Sequence, residues 1–533
     1  MLESPSDMAA RLATILVVVI VGATLIAGLI VGAQREDNSL PVDVIIHNAK
    51  VYEADDAGAI ADAVAIRGNK IVHVGAEREI MRYRRKQTTV IDARGAAVLP
   101  GFEDAHVSLI EGGLARDGVQ LFGASSIDEV KTRITTWAEA HPDAPWIVGS
   151  GWSYDVVANL PAPRSALDLI VSDRPVHLVS QDGRSLWVNT KALEAAGIAK
   201  RAPAQKYGQI TLDSRHRPTG LLRGEAMALV DKVIPRPTRE DRAHALQLAI
   251  KDALAHGITS VQDLGAAAGD LDLYDAARDE DTLGVRVYVA VPARTPLQDL
   301  DAIRKRFPDD PVLKTGIASM PADALVPENT LAAIAAHNWQ LAIEANDERT
   351  IHTALDMLAA IAKKAPAGTA PRHRLEGISL IDPVDMPRFG ALGVIASMQP
   401  LESAGGLETW TNLAGIERAP FGWAVRSLSA AGAHLAFGSD WPRLPLDPLA
   451  SIRASVNRAP IHATEQLTLK SAINAWTSGS AWASFDDHRK GTIKTGMLAD
   501  LVVLTTDVFG GQAKLDAADV AMTIFDGKIV YRR

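Results

Sequence analysis

The sequence predicts an α/β chain: a (β/α)8 TIM barrel, a small β domain built from both ends of the chain, and an apolar N-terminal helix long enough to cross a membrane. Three observations carry this reading. From about residue 238 to 440, short β-rich runs alternate with helical patterns, an order that calls for parallel strands joined by crossover helices and, with this many units, for a closed barrel. Further β-rich runs stand near both ends of the chain, and the run Leu12–Ala33 carries no charged residue.

In chain order, a short tail (1–11) precedes the apolar run (12–33). Roughly 20 apolar residues are what a helix needs to span a bilayer. A signal peptide has a shorter apolar core of about 7–15 residues, which favours a retained single-pass transmembrane helix, although Val31-Gly32-Ala33 also reads as a cleavage site. Arg11 on one side faces Arg35 and Lys50 on the other, and the simpler arrangement puts the large domain on the non-cytoplasmic side. After a polar linker (34–40), Val42–Tyr52 and Ala63–Gly75 read as strands, the second run folded into a hairpin at Gly68-Asn69. Ala499–Leu504 and Met522–Val530 form the matching runs at the other end. The small β domain is therefore expected over 41–98 and 486–533, with the barrel between (99–485).

Within the barrel region, Thr238 caps a helix through Ala245, Leu248, Ala249 and Leu254, with Gly257 past its end and the strand Ile258–Val261 following. Strand-like runs recur at Arg286–Val291, Val312–Gly316, Gln340–Glu344, Arg372–Glu376, Gly393–Met398 and His434–Asp440. The stretch from about 125 to 232 breaks this rhythm and reads as an insertion.

Composition excludes some classes. A net charge of −9 argues against a nucleic-acid-binding surface, and the absence of cysteine removes disulfides, thiolate nucleophiles and cysteine-ligated zinc. Apolar and charged contents of 47% and 22% are those of a globular protein that buries a sizeable core.

The stretch Leu99-Pro-Gly-Phe-Glu-Asp104-Ala-His106-Val-Ser108 carries the chemistry. Val98 and Leu99 read as a strand end and Pro-Gly as a turn; Asp104 and His106, two apart, then point the same way from an extended segment at the barrel mouth. This stretch resembles the metal-binding signature of the amidohydrolase superfamily, Pro-Gly-Phe-Ile-Asp-x-His-x-His. Pro145–Trp152 and Val176–Asn189 resemble the insertion of its family 3 branch, and Lys494–Leu504 its closing motif. The resemblance spans about 42–533. It implies a split β-sandwich beside the barrel, an insertion over the active-site face, and a hydrolase acting on carbon–nitrogen bonds of amides or cyclic amides.

The resemblance also assigns positions. His106 takes the first histidine site, whereas Ser108 stands at the second. Lys314 matches the bridging lysine, and Glu344 replaces the histidine after the fifth strand. In Arg372-His-Arg-Leu-Glu-Gly377, glycine stands where another histidine belongs. Asp440, in Phe-Gly-Ser-Asp-Trp-Pro, occupies the catalytic general-base position, its other reading being a helix cap. His106, Lys314, Glu344 and Asp440 could together hold at most one divalent ion, zinc being the first candidate, or none. Arg184, which replaces a histidine in Asp-Gly-Arg-Ser, and Glu402, two residues past Ser397–Pro400, are candidate substrate-binding charges. Trp152 and Trp441, with Trp187, could line the pocket or simply pack the insertion against the barrel.

Three functions compete. The first is a membrane-tethered amidohydrolase with one metal. The second is an inactive descendant that binds a small molecule or a protein in the old pocket. The third is metal-free chemistry using Lys314 or a carboxylate base. Expected partners are a small molecule, the membrane through the N-terminal helix, and a second copy in a homodimer, with no nucleic acid.

Overall fold

In the computed structural model, the described residues run from 41 to 533, apart from 56, 159, 161, 182, 201–202, 204–207, 268, 322–323, 325, 365–370, 405–410, 412–413 and 458–463. The expected transmembrane helix (12–33) lies outside them, and no helix among the described residues is long and apolar enough to cross a membrane.

Eight parallel strands form the barrel: β1 (Phe102–Val107), β2 (Ile258–Asp263), β3 (Arg286–Pro292), β4 (Leu313–Pro321), β5 (Gln340–Glu344), β6 (Arg374–Glu376), β7 (Ile395–Met398) and β8 (His434–Phe437). Each is hydrogen-bonded to its neighbour in sequence order. The outward faces are apolar runs, buried under the crossover helices, as a parallel sheet covered on both sides requires. The seam between β8 and β1 is drawn shut just past the strand ends. Asp440 N donates to the His106 carbonyl at 2.7 Å, and Ser108 N donates to the Trp441 carbonyl at 2.9 Å. Gly438 makes that approach feasible, because a Cβ there would stand 2.4 Å from the backbone nitrogen of His106.

The two ends of the chain form one domain of two sheets. A four-stranded sheet takes Val44–His47, Ala63–Arg67, Lys70–Gly75 and Thr89–Asp92. A six-stranded sheet joins Lys50–Tyr52, Ile60–Ala61 and Ala97–Pro100 to the C-terminal strands Leu501–Leu504, Val520–Phe525 and Lys528–Arg532. The joint is antiparallel, with Val98 opposite Val503 and Leu99 opposite Val502. Val44, Ile46, Val64, Val98, Leu501 and Ile524 fill the core between the sheets. Val98 and Leu99 end a buried strand as expected, but that strand belongs to this domain, and the barrel's first strand is the Phe102–Val107 segment that follows Pro-Gly.

The insertion between β1 and β2 carries its own six-stranded sheet, from Val119–Gln120 to Pro218–Arg223, so it starts ahead of the expected residue 125. Its cores gather Val130, Ile147, Trp152, Leu178 and Trp187, and Leu186, Leu193 and Leu222. At the N-terminal end of the barrel, the segment after helix Ser478–Ala483 seals the floor. Lys490 bonds Glu103 at 2.7 Å, and Gln340 Nε2 donates to the Ala483 carbonyl at 2.9 Å.

Candidate active site at the barrel mouth

The C-terminal ends of β1, β6, β7 and β8 bring ionisable side chains together, the place where barrels of this kind carry their chemistry. Strand alternation sets who faces inward. On β6, Arg374 and Glu376 share the inner face, and on β7 Ser397 continues it. The Arg374 guanidinium, fully buried, donates to Glu376 Oε1, to Gln262 Oε1, to the Ala105 carbonyl (2.6 Å) and to Ser397 Oγ (3.0 Å). A buried cation with four acceptors is stable only because its neighbours, Glu376 above all, neutralise it.

Glu376 in turn holds His106. Nδ1 of the ring lies 2.8 Å from Glu376 Oε2, and Nε2 lies 3.6 Å from Asp440 Oδ1. Burial by itself would lower the His106 pKa, but the Glu376 hydrogen bond and charge, reinforced by Asp440, outweigh it and raise the pKa to about 9. Burial would raise Glu376, yet the charge of Arg374 and the His106 bond bring it down to about 2. His106 is therefore an imidazolium at neutral pH, aimed at Asp440.

Asp440 sits in the left-handed backbone region (φ 56°), which aspartate tolerates better than most residues. Its Oδ2 accepts from Arg443 Nε, three residues on, and the same guanidinium reaches Glu402 Oε1. Glu402, on the turn after β7, also accepts from Ser379 Oγ at 3.3 Å. Beside it Gln399 is almost fully buried, and neither Oε1 nor Nε2 has a hydrogen-bond partner among the described residues. Asp104 is not exposed at the mouth, as its extended segment suggested. It is wholly buried, and burial raises its pKa to about 6, although it accepts from Ser439 N at 2.9 Å and His106 N at 3.1 Å.

The structure thus brings His106, Asp440 and Glu402 together, keeps Glu344 at the same end of the barrel one strand from Glu376, and places Lys314, Arg184 and Trp152 elsewhere. Lys314 is at the start of β4, on the barrel floor, where Nζ pairs with Asp486 at 2.8 Å and donates to the Ser484 carbonyl at 2.7 Å. Burial lowers its pKa against the pull of Asp486. Glu344 ends β5, exposed, in register with Glu376. Arg184 is exposed on the turn between two insertion strands. Trp152 is buried inside the insertion, its Nε1 donating to the Leu178 carbonyl at 2.8 Å and its ring edge-on to Trp187. Trp441 lies flat over Gly112, where a Cβ would meet its ring at 2.0 Å, and borders a cavity of about 320 Å³ beside the insertion rather than the mouth. Ser108 packs against Gly265, and Gly377 (φ 71°) turns the chain after β6.

Sequence reasoning passed over Glu376, Arg374 and Arg443. The first two carried a signal, the alternate spacing that puts both on one face of a strand; Arg443 carried a weaker one, its i,i+3 spacing from Asp440.

A barrel whose first and last strands present a histidine and an aspartate at the mouth, flanked by a domain made of both chain ends, is the architecture of a hydrolase superfamily. The chain belongs to the amidohydrolase family, in its family 3 branch, whose model matches residues 89–531. It is 30% identical to the Protein LONG AFTER FAR-RED 3 of Arabidopsis thaliana, over 92% of this chain and 91% of that one. With an N-substituted formamide deformylase of Arthrobacter pascens it shares 26% identity, over 92% of this chain and 98% of the relative. A metal-dependent hydrolase from Pyrococcus furiosus, described as uncharacterized, shares the fold at a TM-score of 0.68 and 22% identity, covering 87% of this chain and 99% of that one.

The residues described at the mouth do not assemble a ready-made divalent-metal centre. Among the described residues no three His, Asp or Glu side chains are arranged to hold an ion. His106 presents only Nε2 to the mouth, and the Arg443 guanidinium already covers Asp440 Oδ2 and Glu402 Oε1, so a cation stands between the two carboxylates.

Proposed function

We propose that this chain is a hydrolase of small amides, cleaving a carbon–nitrogen bond at the barrel mouth with Asp440 and His106 as the base and acid. The observation that carries this is the approach of His106 Nε2 to Asp440 Oδ1 at 3.6 Å, with the imidazolium held from behind by Glu376. That spacing leaves both groups within reach of one substrate. Asp440 Oδ1 takes a proton from water as its oxygen bonds to the amide carbon. His106 then donates its Nε2 proton to the departing nitrogen, the C–N bond breaks, and the proton on Asp440 restores His106. The raised pKa of His106 suits it to protonate an amine leaving group. The N-substituted formamide deformylase relative supports the substrate class. The uncharged run 12–33 supports a membrane tether, on sequence alone.

A second reading, a binding protein without catalysis, draws on the engagement of Asp440 by Arg443, which leaves one carboxylate oxygen for chemistry. One assay separates the two: amine release from a panel of N-substituted formamides and cyclic amides by the full chain. Turnover that drops about 10²-fold or more in Asp440→Asn supports the hydrolase. Binding of the same compounds without turnover contradicts it.

A further inference from the structure

The acidic side chains at the mouth already have a cation of their own. Arg443 bridges Asp440, at the end of the last strand, and Glu402, on the turn after the seventh, with Nε on one carboxylate and Nη1 on the other. A zinc-type ion needs three or four donors with free lone pairs around one point, usually imidazole, carboxylate or thiolate. This chain has no cysteine, and its described His, Asp and Glu side chains form no such group. Of the mouth's own donors, His106 offers Nε2 alone, because Nδ1 faces Glu376, and the guanidinium holds one oxygen of each nearby carboxylate.

The packing around the mouth is fitted to this arrangement. Ser108 lies so close to Gly265 that a Cβ on the glycine would meet Oγ at 1.9 Å, and a Cβ on Gly377 would stand 2.9 Å from Asn346 Oδ1. Ser108 is packed directly on Gly265, and the left-handed backbone at Gly377 (φ 71°) disfavours a side chain there. A divalent ion brought to Asp440 or Glu402 would have to displace Arg443 or sit beside its charge.

We infer that Arg443 is the resident cation of this centre, a positioning residue that stands in for a bound divalent metal. The planar guanidinium fixes two carboxylates at once, which a lysine ammonium does less well. It takes Oδ2 of Asp440 and leaves Oδ1 towards His106, so it sets which oxygen acts. The inference rests on the reading of His106 and Asp440 as the working pair, and its test is separate from activity.

The test is zinc binding to the full chain after chelator treatment and dialysis, by elemental analysis and calorimetric titration, in wild type, Arg443→Gln and Arg443→Lys. The expected result is no stoichiometric zinc in wild type or Arg443→Lys, and at least tenfold tighter zinc binding in Arg443→Gln that is lost when His106→Ala is added. One zinc per wild-type chain, removed by His106→Ala, would overturn the inference. So would an Arg443→Gln chain that stays folded by circular dichroism and still takes up no zinc. A zinc-free wild type that hydrolyses no amide defeats the hydrolase reading and leaves this one standing.

Discussion

His106 on the first barrel strand and Glu376 on the sixth are joined across the barrel interior by a 2.8 Å contact between Nδ1 and Oε2. The pair sits above Arg374, so three ionised groups share a buried space and each depends on the others. Removing one member strands charge: Glu376→Gln leaves Arg374 and His106 without their carboxylate. We expect a stability loss of about 3–5 kcal/mol, measured by urea unfolding. A loss under about 1 kcal/mol would mean that the trio is not ionised in the folded chain.

The same pair sets the pH dependence of stability. His106 is raised from 6.5 to about 9, so its contribution is complete below pH 6.5 and is lost as pH rises through 9. Glu376 is lowered from 4.5 to about 2, so its contribution is present above 4.5 and is lost as pH falls towards 2. Asp104 and Asp263, raised by burial to about 6 and 7, lose stability as pH climbs from the ordinary carboxylate range through those values. Thermal unfolding of wild type should therefore show a falling Tm between pH 7 and 9.5, a decline that Glu376→Gln flattens.

Gly438 holds the seam between the last and first strands. In Gly438→Ala the new methyl meets the backbone of His106, and the chain must open there. Overpacking of this kind costs about 1–3 kcal/mol. Activity should fall more than stability accounts for, because His106 and Asp440 move apart. Equal activity per folded molecule in Gly438→Ala would contradict this view of the seam.

Lys314 separates floor from mouth. Lys314→Met removes one of the three cations around Asp486, leaving Arg489 and Lys490, and should lower stability by about 1–2 kcal/mol, with kcat within about twofold of wild type. Collapse of kcat in a folded variant would put the lysine back in the chemistry.

Gln399 is predicted to be held against stability. Its amide is buried with both polar atoms unpartnered among the described residues, so Gln399→Leu should be neutral or raise stability by about 1 kcal/mol in thermal melts. A loss of 2 kcal/mol or more would show that the amide is bonded in solution.

The barrel and the two-ended β domain were legible because buried strands, parallel in the barrel and mostly antiparallel in the end domain, are written as apolar β-branched runs such as Arg286–Val291 and Leu501–Leu504, and such runs do not need the rest of the chain to be read. The site was legible only in part. Lys314 was placed at the site by its match to the bridging lysine, whereas β4 runs on past it through Ile317 and Met320, both buried, and leaves it at the floor. Which end of a strand a residue occupies depends on where pairing stops, and its neighbours decide that. Glu376 stayed hidden because its partner is 270 positions away in sequence. Trp152 and Trp441 were open between lining a pocket and packing the insertion; Trp152 is locked in the insertion, and Trp441 packs on Gly112 and borders the cavity beside the insertion, contacts that no local pattern records.

The most direct test of the acid–base pair is the pH profile of kcat/KM for amide hydrolysis by wild type and Glu376→Gln. The account predicts an alkaline limb near pH 9 in wild type, where His106 loses its proton, and a shift of that limb towards lower pH in Glu376→Gln. An alkaline limb that stays in place when Glu376 is neutralised would contradict His106 as the acid.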